Sequence, residues 1–179
     1  MPGVSIATVV DKHMWLHAAV FVRQLVQVGT TLPIVIFNVT ELPEPAITLI
    51  QSLGARVTSL DPSIAVPPEF HSRLLQLPFS TREGNLSLRR FAPYAKLGVW
   101  GQTQWSKVIL VDVDVVFAAN IDEMAAFPVN TFSPETCNSL DPARCSNATR
   151  FLTQGFNAGV MVIGPSSNPE PDPQPKPEA

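Results

Sequence analysis

Two aspartates, Asp112 and Asp114, close an apolar run that begins at Val108, with Val113 between them. Residues i and i+2 of a strand share a side, so a strand over 108–114 would carry both carboxylates off the sheet edge together. Such a pair suits one hard divalent cation, Mn²⁺ or Mg²⁺, which prefers oxygen ligands and completes its shell with phosphate oxygens. The expected ligand chemistry is therefore a diphosphate held through a cation. By itself an Asp-x-Asp triplet is common, and the plain reading is a solvated strand end.

The residues around the triplet narrow the reading. Upstream stand Tyr94-Ala95-Lys96-Leu97 and then Ser106-Lys107, downstream Asn120-Ile121-Asp122, and later Phe156-Asn157-Ala158-Gly159. This order resembles the family 8 retaining glycosyltransferases, the group of glycogenin and the bacterial lipopolysaccharide galactosyltransferases. Its pattern is a Tyr/Thr-x-Lys/Arg-Leu helix, a strand ending Asp-x-Asp, an Asn-Ile-Asp turn and a Phe-Asn-Ala/Ser-Gly strand. The resemblance spans roughly Ser5 to Pro165 and is strongest from Tyr94 to Ile163.

That resemblance implies a GT-A type, Rossmann-like α/β fold. It also implies transfer of a hexosyl-type sugar from a UDP-sugar to a glycan or protein hydroxyl, with retention and with Mn²⁺ or Mg²⁺ as cofactor. It assigns metal ligation to Asp112 and Asp114 and a donor contact to Lys96. It places uracil and ribose contacts near Thr8 and Asp11, and sugar contacts at Asn157, Ala158 and Gly159. At the family's uracil-stacking tyrosine this chain has Met14, with Trp15 one step further. Family members continue beyond Pro165 with an Asp-Gln segment and a His-x-x-Gly element whose histidine completes the metal site. His13, His17 and His71 all precede Asp112 and read as surface or core histidines. The expectation is a transferase domain over residues 1–164, incomplete at its C-terminus, with exposed apolar surface and little activity of its own.

Elements able to position these residues are legible in the pattern. Ser5 to Val10 reads as a buried strand, and Trp15 to Val28 as a helix with Ala18, Phe21, Val22 and Leu25 at helical spacing, stopped by Gly29. Pro33 to Val39 and Ala55 to Leu60 read as further strands around a short helix that carries Ala46, Ile47, Ile50 and Leu53. Alternating strands and helices imply a parallel sheet with right-handed crossovers, which binds ligands beyond its carboxyl edge. No Gly-x-Gly-x-x-Gly follows the first strand, so a dinucleotide site is not supported. Pro93 can open a helix that turns Tyr94, Leu97 and Trp100 to the core and leaves Lys96 on another face. Arg89 and Arg90 read as exposed.

With 179 residues, 45% of them apolar and 15% charged, the chain suits one globular domain. A net charge of -3 offers no footprint for nucleic acid. No apolar run approaches the roughly 18 residues of a membrane span. Cys137 and Cys145 suggest a disulfide-closed loop, and sequons at Asn38, Asn85 and Asn147 push the same way, towards a Golgi-like lumen rather than the cytosol. Prolines at 165, 169, 171, 173, 175 and 177 give residues 165–179 the composition of a disordered, polyproline-prone tail. Two other readings compete. A haloacid dehalogenase-type phosphatase also begins with a strand ending Asp-x-Asp, but it needs a hydroxyl residue where this chain has Val116. A catalytically inactive transferase that only binds donor, or only folds, is the second.

Overall fold

A computed structural model describes residues 3–60, 95–134 and 156–166, with 133–134 and 156–158 described by their backbone. Strand β1 (Gly3–Val10) leads through Asp11–Met14 to helix α1 (Trp15–Gln27), and β2 (Ile34–Asn38), helix α2 (Glu44–Ser52) and β3 (Ala55–Ser59) follow. A 3₁₀ helix (Lys96–Gly101) precedes β4 (Trp105–Val111), and a second 3₁₀ helix (Asp122–Ala126) precedes β5 (Thr131–Pro134) and β6 (Phe156–Ile163). The sheet runs β3-β2-β1-β4-β6-β5. Its first four strands are parallel, as the alternation of strands and helices demanded, while β6 returns antiparallel beside β4 and carries β5 at the edge.

The branched, apolar strands bury both faces, which is why they read as continuous runs rather than alternating ones. On one face Phe21, Val22 and Leu25 of α1 and Ile50 of α2 pack on Ile6, Val10, Ile36, Ile109 and Val111. On the other, Ala95 and Val99 cover Ala7, Val35, Phe37, Val108 and Leu110. Complete burial of a Phe or Leu side chain is worth about 1.5–3 kcal/mol, so these two layers supply the main drive to fold.

The helix end is closed by backbone geometry. Gly29 has φ of 77°, its N–H reaches Val26 O, and the N–H of Thr30 reaches Leu25 O. This paired arrangement satisfies the last carbonyls of α1 and requires a left-handed residue, which glycine adopts without cost from a Cβ. It delivers Thr30 and Thr31 to one fixed place at the bottom of the domain.

Three local expectations change. β4 stops at Val111, so Asp112 and Asp114 lie beyond the strand rather than on it: Val115 N–H bonds Asp112 O at 3.2 Å and closes a turn. The segment after Pro93 is 3₁₀ from Lys96, and its shorter period buries Ala95, Gly98 and Val99 while Leu97 is left 47% exposed. Gly98 lets this segment approach Leu60 closely, since a Cβ there would meet the Leu60 side chain at 3.2 Å and Leu60 would have to give. Finally, the Asn38 sequon ends β2: its amide is 8% exposed and its Nδ2 donates to Thr40 O at 3.0 Å, so the folded chain does not present it for glycosylation. Asn85, Asn147, Cys137, Cys145, Arg89, Arg90, Tyr94, His71 and the tail beyond Ser166 lie outside the described residues. Among those described, no helix is long and apolar enough to cross a membrane.

Candidate functional site

The chain moves outward from β1 to β2 and β3, then crosses back to add β4 on the other side of β1. Strand order thus reverses between β1 and β4, where the connections diverge and leave a crevice at the carboxyl edge. A cleft of about 470 Å³ lies there, lined by Val9, Val10, Asp11, His13, Met14, Val39, Lys96, Asp112, Val113 and Asp114. Sequence positions from both halves of the chain therefore meet at one opening.

Asp112 is held on two sides. Its N–H donates to Gly159 O at 2.8 Å, because the antiparallel pairing of Val111 with Val160 sets Gly159 beside it. Its Oδ1 accepts from the Lys96 ammonium in an ion pair whose side chains are 35% and 23% exposed respectively. Asp114 differs: it is exposed, and it makes no hydrogen bond or ion pair among the described residues. Val113, 8% exposed, packs into the α1 face of the core and fixes the turn between the two carboxylates.

On the β1 side, Asp11 forms a tight turn. Its Oδ1 accepts from the His13 N–H at 2.8 Å, and its carbonyl accepts from Met14 N–H at 3.0 Å. Lys12 N–H bonds Thr40 Oγ1 at 2.7 Å, which ties this turn to the end of β2. His13 and Met14 consequently face the cleft, while Trp15 packs against the α1-side core.

The expected site residues are distributed as follows. Asp11, Lys96, Asp112, Val113 and Asp114 line the cleft. Gly159 is not in that lining but bonds Asp112 N–H through its carbonyl, and Asn157 and Ala158 lie on the same strand, Asn157 paired with Ser133 in register. Thr8 does not lie past the first strand: β1 continues to Val10, and Thr8 is fully buried inside it and absent from the cleft lining. His13 is the residue that sequence reading passed over. It has no ligand spacing, and only its place in the turn after Asp11 brings it to the cleft.

The donor set fits a hard divalent cation in part. Two carboxylates at one opening are oxygen ligands of the right kind, and Mn²⁺ or Mg²⁺ commonly keeps waters and phosphate oxygens in its remaining positions. Among the described residues no group of three or more His, Cys, Asp or Glu side chains gathers to enclose an ion. Lys96 adds positive charge at the same place, suited to a phosphate and already neutralising Asp112.

The Asn-Ile-Asp motif is built quite differently. Asp122 accepts from the Thr30 hydroxyl, from Thr31 N–H at 2.8 Å and from the Thr31 hydroxyl at 2.8 Å, and its own N–H bonds Asn120 Oδ1 at 2.6 Å. Asn120 Nδ2 in turn donates to Gly29 O at 2.8 Å. Desolvation raises the Asp122 carboxyl, but the bonds from Thr30, Thr31 and Asn120 outweigh it and hold it below the ordinary aspartate value. This motif staples the connection after Asp114 to the end of α1.

No protein-family model matches the chain. Over 75 residues it is 33% identical to an Arabidopsis thaliana protein provisionally designated UDP-glucuronate:xylan alpha-glucuronosyltransferase 3, covering 42% of this chain and 10% of that one. Among solved structures, the galactosyltransferase LgtC in complex with donor and acceptor sugar analogues is 16% identical with a TM-score of 0.56, over 89% of this chain and 57% of that one. The bifunctional glycosyltransferase WbbM is 13% identical with a TM-score of 0.53, over 91% of this chain and 31% of that one. GlyE of Streptococcus pneumoniae gives 14% and 0.51, over 89% and 34%. The chain thus spans a tenth of the curated relative and under two thirds of each of these structures. What the likeness establishes is the fold: the chain has the GT-A architecture of these glycosyltransferases.

Proposed function

We propose that this chain is the donor-binding part of a glycosyltransferase, and that its cleft takes a nucleoside diphosphate sugar, UDP-linked, together with Mn²⁺ or Mg²⁺. The observation that carries the reading is the meeting of Asp112, Asp114 and Lys96 with the turn after β1, at the point where strand order reverses. A cleft lined by the Asp112 and Asp114 carboxylates, the Lys96 ammonium and the apolar Val9, Val10, Met14 and Val39 suits a ligand with a charged diphosphate and a flat base.

Asp114, exposed and without a partner among the described residues, is the readier ligand for the ion, and Asp112 shares it. When bound, the ion would neutralise charge on the departing diphosphate, a Lewis-acid contribution to sugar transfer. Lys96 contributes to the same neutralisation by direct contact with a phosphate oxygen. Met14 packs against the base through dispersion in place of an aromatic ring. In this reading Asp11 accepts from ribose hydroxyls and the sugar lies towards Asn157, Ala158 and Gly159 of β6. The proposed reaction moves a hexosyl-type sugar to a glycan or protein hydroxyl with retention.

Calorimetric titration with UDP, UDP-glucose, UDP-galactose and UDP-glucuronate tests the reading. Binding that needs Mn²⁺ and vanishes in chelator supports it, and equal binding with and without the ion overturns the role given to the carboxylates. UDP-glucuronate belongs in the panel because of the 33% local match to a protein designated for that donor. Transfer of radiolabelled sugar to glycan and protein acceptors then decides between a working transferase and a donor-binding fold.

A further inference from the structure

The turn that carries Asp114 is followed by irregular chain, and irregular backbone keeps one shape only where its polar groups and side chains are anchored. Val116 is 80% exposed and contributes no anchor. The next residue, Phe117, is gripped twice by α1. Its ring meets Phe21 edge-on, with centroids 5.3 Å apart at 71°, and its N–H donates to Gln24 Oε1 at 3.1 Å. Phe21 and Gln24 are three apart on the helix and therefore share a face. One helix face thus fixes both the side chain and the backbone of a single loop residue.

We propose that Gln24 is a positioning residue for the donor site. It acts through Phe117 to hold the Asp112–Val116 turn in the conformation that presents Asp114 to the cleft. The inference rests on the donor-site reading above and adds a residue distant in sequence that touches neither nucleotide nor ion. Val113, buried in the core, anchors the turn on one side of Asp114, and the Gln24–Phe117 bond anchors it on the other. Phe117 lies three positions beyond Asp114, a reach of about 10 Å at most, so slack at Phe117 reaches the carboxylate through Val116 and Val115 alone. Gln24 also lines an apolar groove of about 440 Å³ with Leu16, Val20 and Val116, where among the described residues its side chain bonds the Phe117 amide.

The test uses three variants of the full chain and two probes, Mn²⁺ and UDP. Gln24→Leu keeps the size and removes the acceptor, Gln24→Ala removes the side chain, and Gln24→Glu keeps an acceptor for the amide. The expected result is about tenfold weaker Mn²⁺-dependent UDP binding by the Leu and Ala variants, at the low end of what loss of an outer supporting contact costs a metal site. Affinity should return in the Glu variant, and the Phe117 amide should exchange its hydrogen faster in the Leu and Ala variants alone. Melting temperatures and affinity read together separate this from a merely structural role, which would lower stability in the Leu and Ala variants and leave the affinity of the folded fraction unchanged. Wild-type affinity in Gln24→Leu, with binding still abolished by Asp114→Ala, overturns the inference and leaves the donor site standing. No Mn²⁺-dependent binding by the wild-type chain overturns the donor-site reading, and this inference with it.

Discussion

The connection after β4 carries acidic groups at both ends, and the fold treats them in opposite ways. At its start Asp114 is exposed and bonds to nothing among the described residues, while the half-buried Asp112 carboxylate pairs with Lys96. At its end Asp122 has its two oxygens occupied by Thr30 and Thr31, and its backbone N–H by Asn120. A carboxylate satisfied by its own chain is spent on stability. One left open at a switch-point cleft retains its capacity for a ligand, and keeping it so costs little because water solvates it until the ligand arrives.

The largest break between the two ends should come from Asp114→Ala. UDP affinity in Mn²⁺ should fall by at least about a hundredfold, consistent with loss of a direct ligand from a two-carboxylate set, while the melting temperature hardly moves because surface changes usually stay within about 0.5 kcal/mol. Calorimetry and a thermal melt on the same sample check both halves.

Asp122→Ala should show the reverse pattern. Hydrogen bonds to a charged acceptor are worth about 1.5–3 kcal/mol when sheltered, and solvent screening at this half-buried site lowers the expected loss to about 1–2 kcal/mol. Urea unfolding would measure it. Donor affinity per folded molecule should change far less than in Asp114→Ala.

Acid sharpens the same contrast. The Asp122 carboxyl is held below its ordinary value in the folded chain, so its contribution is fully present above the unfolded value of about 3.9 and is lost as pH falls through the folded value. The stability gap between wild type and Asp122→Asn should therefore be constant from neutral pH down to about 4 and narrow below it. A gap that instead narrows between pH 7 and 5 would contradict the bonding seen here.

The smallest expected effect belongs to Lys96→Met. Loss of one partly exposed ammonium should weaken UDP binding about fivefold, equivalent to about 1 kcal/mol, and should flatten its dependence on salt. Affinity that does not change would mean that Lys96 does not act on the diphosphate.

How much of this the sequence discloses depends on the distance over which each feature is encoded. β1, α1, β2, α2 and β3 follow from apolar period and from Gly29, all local signals, and their observed bounds agree with the expected ones within about two residues. The cleft residues Asp11, Lys96, Asp112 and Asp114 stand in short motifs and were readable as residue types. Their geometry was not. Continuing strand alternation through Asp114 overlooked the Asp112–Val115 turn, which depends on Val113 burying its side chain in the core. Thr8 lies inside β1, which ends at Val10 as its apolar run suggested, and its side chain is buried there. His13 carries no spacing signal, since its position comes from the Asx turn made by Asp11. The Asp122 staple and the Gln24–Phe117 bond join residues more than 90 positions apart, which no local pattern can announce. Asn38 shows the converse, a glycosylation motif on paper whose amide the fold has already buried.

With Asp112 and Asp114 as ligands, the ion and diphosphate would gather at the start of the connection and not at its end. Paramagnetic broadening by Mn²⁺ of backbone amide resonances, recorded with UDP present, measures this directly. Signals of Asp11 to Met14 and of Asp112 to Val115 should disappear first, while those of Thr30, Thr31 and Asp122 persist. Broadening centred on Asn120 to Asp122, or spread evenly over the acidic surface, would contradict it.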